Sequence, residues 1–344
     1  MKVDVLLDMD GRLDTVVTHV RRLEDAGVDG VWSSETARDP LLPLAVAATG
    51  TASATLGTAI TVAFARSPMT LAYTANDIQQ ASGGRLVLGL GSQVRPHITR
   101  RFSMPWGKPV PQMREFVGAL RAIWRSWNEQ VPLRFEGEYY RHSLMTPVFS
   151  PPANPFGPPP IVLAAVGPAM TRLAGEVADG LLIHPFSTER YLREVTLPAF
   201  EAGLERADRP RRQVEVVHPG FVVVRSSTAD DEPRISAVRR QIAFYGSTPA
   251  YRSVLDLHGW GDLADELNRL SLSPDPDRWD TMAGLVDDQV FSAFAVIGDL
   301  PAVARELFRR YRGAVDRVAL TPDACTDPSG LPLLVDAVHA GHSG

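Results

Sequence analysis

The chain has 344 residues, of which 44% are hydrophobic and 22% charged, with a formal net charge of −5. That balance is globular, and its acidic sign argues against a general nucleic-acid binder, which would carry a basic face. One cysteine (Cys325) excludes an internal disulfide, Asp4, Asp8 and Asp10 interrupt any leader-like apolar run, and no stretch is long enough to span a membrane, so a soluble cytoplasmic protein is expected.

A first strand is expected over 3–9 (VDVLLDM). The helix after it has Leu13, Val16, Val17, Val20 and Leu23 in one stripe and ends at Gly27. A second strand covers 30–34, a helix follows in PLLPLAVAATGT, and a third strand covers 55–62. Pro68 opens the next helix, through Leu71, Ala75 and Ile78. RLVLGLG (85–91) reads as the fourth strand, and Phe116, Val117, Leu120, Ile123, Trp124 and Trp127 share one face of a strong helix.

An insertion near 130–148 breaks the rhythm, with a hairpin over 134–143 turning at Gly137, and a proline-dense connector follows at 151–160. Alternation resumes with a strand at 161–166, a helix from Pro168 to Val177, a strand at 180–186 and a helix through Leu192, Val195 and Phe200. A seventh strand is expected over 214–224, and 228–296 reads as an irregular helical insertion. A helix at 301–313, an eighth strand at 315–320 and a last helix at 331–340 complete the chain. Eight strands alternating with helices predict an α/β fold, a (β/α)8 TIM barrel forming one domain over 1–344, ahead of a doubly wound sheet.

Barrels of this kind place their chemistry at the carboxyl ends of the strands. The residues there are Asp8, then Ser33, Ser34, Glu35 and Thr36, then Thr61 and Val62, then Gly91, Ser92, Gln93 and Arg95. Later strands contribute Val166 and Gly167, His184, Arg225 and Ser226, and Thr321. Glycines inside the apolar fourth strand mark a close approach, by a neighbouring element or by a ligand, and Ser92 and Gln93 favour a ligand. GLGSQV is no dinucleotide fingerprint, because Val94 stands where the third glycine is needed.

In AAVGPAM (164–170), small residues end a buried strand and Pro168 opens a helix whose free amides face the mouth. That pattern favours an anion, phosphate above all, over an ordinary strand-to-helix turn. The eight histidines form no H-x-H or H-E-x-x-H pattern, so no metal site is expected; His339 and His342 fall at an end expected to fray. His97 and His184 lie near the mouth as proton donors or substrate contacts, or else as structural histidines. Arg95, Arg100 and Arg101 could steer an anionic ligand. Glu35 is either a site carboxylate or an ion-pair partner of Arg38 or Arg66. The only lysines, Lys2 and Lys108, sit badly for a Schiff base.

The ordered series DGVWSSET, LGTAITVAFARSP, SGGRLVLGLGSQ and LAAVGPAMTRLAGEVADGLL, with the ending GDLPAVARELFRRYRGAVDRVAL, resembles the bacterial luciferase-like superfamily of flavin- and deazaflavin-dependent oxidoreductases. GLGSQ followed by RRF and PW is most similar to the branch using coenzyme F-420, an 8-hydroxy-5-deazaflavin; residues 225–290 match poorly. The resemblance implies a redox ring in the barrel mouth, supported by a bulge at Ala59 and Ile60 that often carries a cis peptide. It implies that Gly91, Ser92, Gln93 and His97 contact the ring or tail, and that Val166, Gly167, Pro168, Ala169 and Met170 line the phosphate. Glu35 falls where relatives carry an acid near the ring, and Glu35, His97 and His184 are the catalytic candidates. Several deazaflavin enzymes follow that acid with a histidine. Thr36 stands here instead, so their proton handling does not carry over.

The expected activity is hydride transfer between the deazaflavin C5 and a small organic substrate, with 228–296 as lid and substrate wall and a homodimer as the assembly. The first alternative is an FMN-dependent monooxygenase using reduced flavin and oxygen. The others are a phosphate-binding lyase or isomerase, which the scarcity of lysine disfavours, and a flavin-binding protein without catalysis.

Overall fold

A computed structural model describes residues 1–225, 230–325 and 329–341; Ser226 and His342 lie outside them. The strands in chain order are β1 (Lys2–Leu6), β2 (Gly30–Ser33), β3 (Thr55–Thr58), β4 (Thr61–Val62), β5 (Leu86–Gly91), β6 (Phe135–Glu136), β7 (Arg141–His142), β8 (Ile161–Ala165), β9 (Gly180–Ile183), β10 (Glu215–Pro219), β11 (Phe221–Val224), β12 (Ala295–Gly298) and β13 (Arg317–Leu320). The ring runs β3-β2-β1-β13-β10-β9-β8-β5, and pairing of β3 with β5 closes it. With β3 and β4 counted as one broken strand, this is the expected eight-stranded parallel barrel. The expected hairpin is also present, as the antiparallel pair β6–β7.

The helices are α1 (Val16–Asp25), α2 (Leu41–Ala48), α3 (Pro68–Ala81), α4 (Pro109–Glu129), α5 (Pro168–Val177), α6 (Glu189–Tyr191), α7 (Leu197–Arg206), α8 (Glu232–Gly246), α9 (Arg252–Leu257), α10 (Gly261–Ser271), α11 (Arg278–Gly284), α12 (Asp288–Phe294), α13 (Leu300–Tyr311) and α14 (Gly330–Ala340). Their starts follow from local chemistry. Ser67 accepts the Met69 amide at 3.2 Å before Pro68 opens α3, and Asp299 accepts the Ala302 amide at 2.8 Å to open α13. The α4 stripe buries Phe116, Leu120, Ile123, Trp124 and Trp127 against the barrel, each worth about 1.5–3 kcal/mol of transfer free energy.

Two expectations are corrected. The run over 214–224 is two strands: at Gly220 the chain leaves the barrel, and β11 pairs in parallel with β12, Phe221 opposite Ala295. Ala295 and Val296, the tail of the expected helical insertion, thus open a strand. Phe221 is buried in a second core with Phe186, Ile242, Leu267, Met282 and Phe291, which seats the insertion beside the mouth. The bulge that the resemblance implies at Ala59 and Ile60 is present: the run over 55–62 breaks between β3 and β4, where a cis peptide joins the two residues. Finally, His339 is docked, its Nε2 2.8 Å from the Asp29 carboxylate that also accepts the Val3 amide at 2.7 Å.

Inside the barrel Trp32, Val162, Leu182, Val217 and Ala319 form the packed stack. Toward its amino end lies a buried ion pair. Asp4 accepts from Arg317 Nε at 2.7 Å, from its Nη2 at 2.8 Å and from Trp32 Nε1 at 2.8 Å. The stack closes the barrel from below and gives the mouth its floor.

Candidate active site

A cleft of about 690 Å³ opens at the carboxyl ends of the strands. Inward-facing Leu6, Ala59, Ile60, Ala164 and Leu182 form its base, flanked by Gly91. On β8 the inward face steps from Val162 to the smaller Ala164 toward the mouth. That step leaves a shallow, apolar shelf rather than a plug.

Of the two causes expected for the glycines of β5, a neighbouring element accounts for both. A Cβ on Gly89 would lie 1.7 Å from the Thr58 carbonyl oxygen, and one on Gly91 would lie 2.7 Å from Ile60 Cδ1. Both serve the close approach of the third strand, although Gly91 also lines the cleft. Thr58 Oγ1 donates to the Gly89 carbonyl at 2.7 Å and accepts its amide at 2.9 Å. Ser34 Oγ donates to the Ala59 carbonyl at 3.0 Å.

Glu35 takes part in the same construction. Its Oε2 accepts the Val62 amide at 2.7 Å and Arg66 Nη1 at 2.7 Å, while Arg66 also reaches Asp39 at 2.8 Å. Glu35 does not line the cleft, so the structure gives it the Arg66 ion pair and a place beneath the bulge. Gly89→Ala is expected to cost up to about 3 kcal/mol, read as a lower urea midpoint. Gly284→Ala, where nothing lies within 4 Å of the new methyl, should show no loss.

At the far side, α5 begins with Gly167 as its N-cap in extended backbone (φ −92°) and no capping side chain. The first-turn amides of Ala169 and Met170 have no intrahelical acceptor, and Thr171 donates back to the Gly167 carbonyl at 3.1 Å. Val166, Gly167 and Met170 line the cleft, with Pro168 and Ala169 exposed at its rim. Ser92 and Gln93 also line it, Gln93 with a positive φ of 58°, and Arg95 stands beside them. His97 does not join the cleft. The π-turn His97–Arg101 buries Ile98 and leaves His97 exposed in a separate shallow depression with Arg100 and Arg101.

His184 does reach the cleft, because the alternation Gly180, Leu182, His184 keeps it on the inward side. Its Nδ1 accepts the Phe186 amide at 3.1 Å, so the neutral ring carries its proton on Nε2. Tyr251 packs on it at 4.3 Å between centroids, and Tyr245 meets it edge-on at 4.7 Å. Burial lowers the His184 pKa to about 4 and raises that of Tyr251 to about 12.

Residues 2–317 match the family model of luciferase-like monooxygenases. The chain belongs to that family. It is 52% identical over 296 residues to the uncharacterized protein Rv1360 of Mycobacterium tuberculosis, covering 86% of each chain. It is 26% identical over 333 residues to a putative coenzyme F-420-dependent oxidoreductase of the same organism, covering 92% of this chain and 93% of that one. Its backbone is similar, with a TM-score of 0.80 at 20% identity and 98% coverage of both chains, to the coenzyme F-420-dependent tetrahydromethanopterin reductase of Methanopyrus kandleri.

As a luciferase-like barrel, the protein offers two features that suit a flat, anionic cofactor: the small-residue shelf over Ala59, Gly91 and Ala164, and an uncapped helix start opening onto the same cleft. Among the described residues no group of three or more His, Cys, Asp or Glu could hold a metal, and no helix is long and apolar enough to cross a membrane. Sequence reasoning missed Trp106, Phe221, Gln241, Tyr245 and Tyr251 as cleft residues. The aromatic spacing in FYGSTPAY was the available signal.

A second depressed histidine lies behind the wall: His218, fully buried with Nε2 3.1 Å from Tyr311 Oη, has a pKa of about 3. Both histidines titrate near 6.5 when unfolded. Below that pH the unfolded chain takes up protons the folded one refuses, so stability is full above about pH 7 and falls on acidification toward pH 4. Urea midpoints at about pH 7.5 and 4.5 should differ less for His218→Gln than for the wild type.

Proposed function

We propose that this chain is a coenzyme F-420-dependent oxidoreductase acting on a small organic substrate. The observation that carries the reading is the joining, in one cleft, of the apolar shelf at Ala59–Ile60 to the uncapped start of α5. The likeness to a putative F-420-dependent oxidoreductase supports the deazaflavin over FMN. When bound, the deazaflavin supplies a hydride donor or acceptor at its C5.

The amides of Ala169 and Met170, with Val166, Gly167 and Pro168 around them, hold its phosphate, and Arg95 draws the anion in. Ala59, Ile60, Gly91, Ser92 and Gln93 form the surface for the ring. Glu35 acts through the Val62 amide and Arg66 as a positioning residue for that surface. His184 stays neutral at cellular pH and offers its Nε2–H as a hydrogen-bond donor to the substrate, not as an imidazolium acid. Tyr245, Tyr251 and Trp106 keep water from the reacting atoms.

Fluorescence titration of the purified protein with coenzyme F-420 and with FMN tests the reading. Saturable F-420 binding with FMN at least tenfold weaker is expected. Tight FMN binding with none for the deazaflavin would overturn it in favour of the monooxygenase.

A further inference from the structure

We infer that the part of the cleft walled by the insertion takes an uncharged, flat aromatic compound bearing one carbonyl- or imine-type acceptor. This rests on the cofactor reading only in assigning the ring to the shelf at Ala59–Ile60.

Charge is the first argument. The insertion side of the cleft is built from Phe221, Gln241, Tyr245, Ala250 and Tyr251, with His184 below them; none is a carboxylate, lysine or arginine, and burial keeps His184 neutral and Tyr251 protonated. Among the described residues that line the cleft, the one permanently charged side chain is Arg95, which belongs to the turn after β5 with Gln93 and not to this wall. A substrate phosphate or carboxylate placed here would lose its hydration without a counter-charge.

Shape is the second. Tyr251 and His184 lie ring against ring at 35°, and Tyr245 stands across them at 82°. Phe186 backs the group and is itself stacked on Phe294 at 4.4 Å inside the insertion's core. These rings are fixed by packing before any ligand arrives, and a rigid aromatic wall favours a planar π-surface over a puckered one.

Polarity is the third. Nδ1 of His184 is taken by the Phe186 amide, while the Nε2–H across the ring has no protein acceptor among the described residues. The Tyr251 phenol stays protonated. The wall therefore presents neutral donors, which match a carbonyl oxygen or an imine nitrogen on the substrate.

Isothermal titration of the cofactor-free protein compares 2-acetylnaphthalene with 2-naphthoate and with cyclohexyl methyl ketone. The aromatic ketone should bind, the carboxylate roughly 30-fold more weakly, and the non-planar ketone about tenfold more weakly. Gln241→Arg, at an exposed α8 position, should shift the preference toward the naphthoate, and Tyr251→Ala should weaken the aromatic ketone about tenfold. Naphthoate binding as tightly as the ketone, an unchanged ratio in Gln241→Arg, or no saturable ketone binding would each overturn the inference. F-420 titration of the same wild-type sample is read separately. Its failure beside an intact ketone preference would remove the cofactor reading and leave this one standing.

Discussion

Replacing Gly167 with aspartate is expected to weaken coenzyme F-420 binding by at least about 100-fold while leaving thermal unfolding unchanged. The backbone there is ordinary extended chain, and an added Cβ meets nothing within 4 Å, so the side chain fits without rearrangement. Aspartate is also a favoured N-cap, which protects the helix. The new carboxylate takes the amides that the phosphate needs and repels it as well. Two unit charges about 5 Å apart at an effective dielectric near 20 cost about 3 kcal/mol, close to two orders of magnitude in affinity. Gly167→Ala adds a methyl without the charge and should bind within about threefold of the wild type. An aspartate variant that binds normally would place the phosphate elsewhere.

Arg317→Met is the largest expected loss of stability, about 3–5 kcal/mol. Asp4 is fully buried, and Arg317 supplies two of its three hydrogen bonds. Burial already pushes the Asp4 carboxyl up from its ordinary value, and only the guanidinium and the Trp32 indole oppose that. Without Arg317 the carboxylate is left uncompensated in the barrel interior. The double variant Asp4→Leu/Arg317→Met removes both charges and should recover much of the loss. The check is the urea midpoint at unchanged slope. A single variant that loses less than about 1 kcal/mol would mean the pair is solvated.

The barrel was legible because each strand–helix unit announces itself: an apolar run, then a stripe such as Phe116 to Trp127, with Gly or Pro between. What failed depended on partners distant in sequence. Residues 214–224 read as one strand although Pro219–Gly220 is a local turn signal inside them, and nothing local shows that the chain beyond it pairs with 295–298. The glycines of β5 were legible as a close approach, but the approaching group, the Thr58 carbonyl, comes from another strand. The Ala59–Ile60 bulge was read through resemblance; in TLGTAITV itself its one trace is the adjacent apolar pair Ala59 and Ile60, where the alternation lapses.

In the site, Gly167 and His184 could be placed from strand ends alone. His97 could not, because a π-turn shifts the phase of the residues after Val94. Glu35 had two readings, and the choice between them required knowing that Arg66 folds back onto it. The aromatic wall belongs to an irregular insertion whose register no periodicity reveals.

The most direct measurement is a crystal structure of the protein with coenzyme F-420 bound. It should show the ring against Ala59 and Ile60 beside Ser92, and the phosphate within hydrogen-bond distance of the Ala169 and Met170 amides. A cofactor seated at the opposite end of the barrel, in the cavity lined by Trp124, Asn128 and Pro159, would contradict the account.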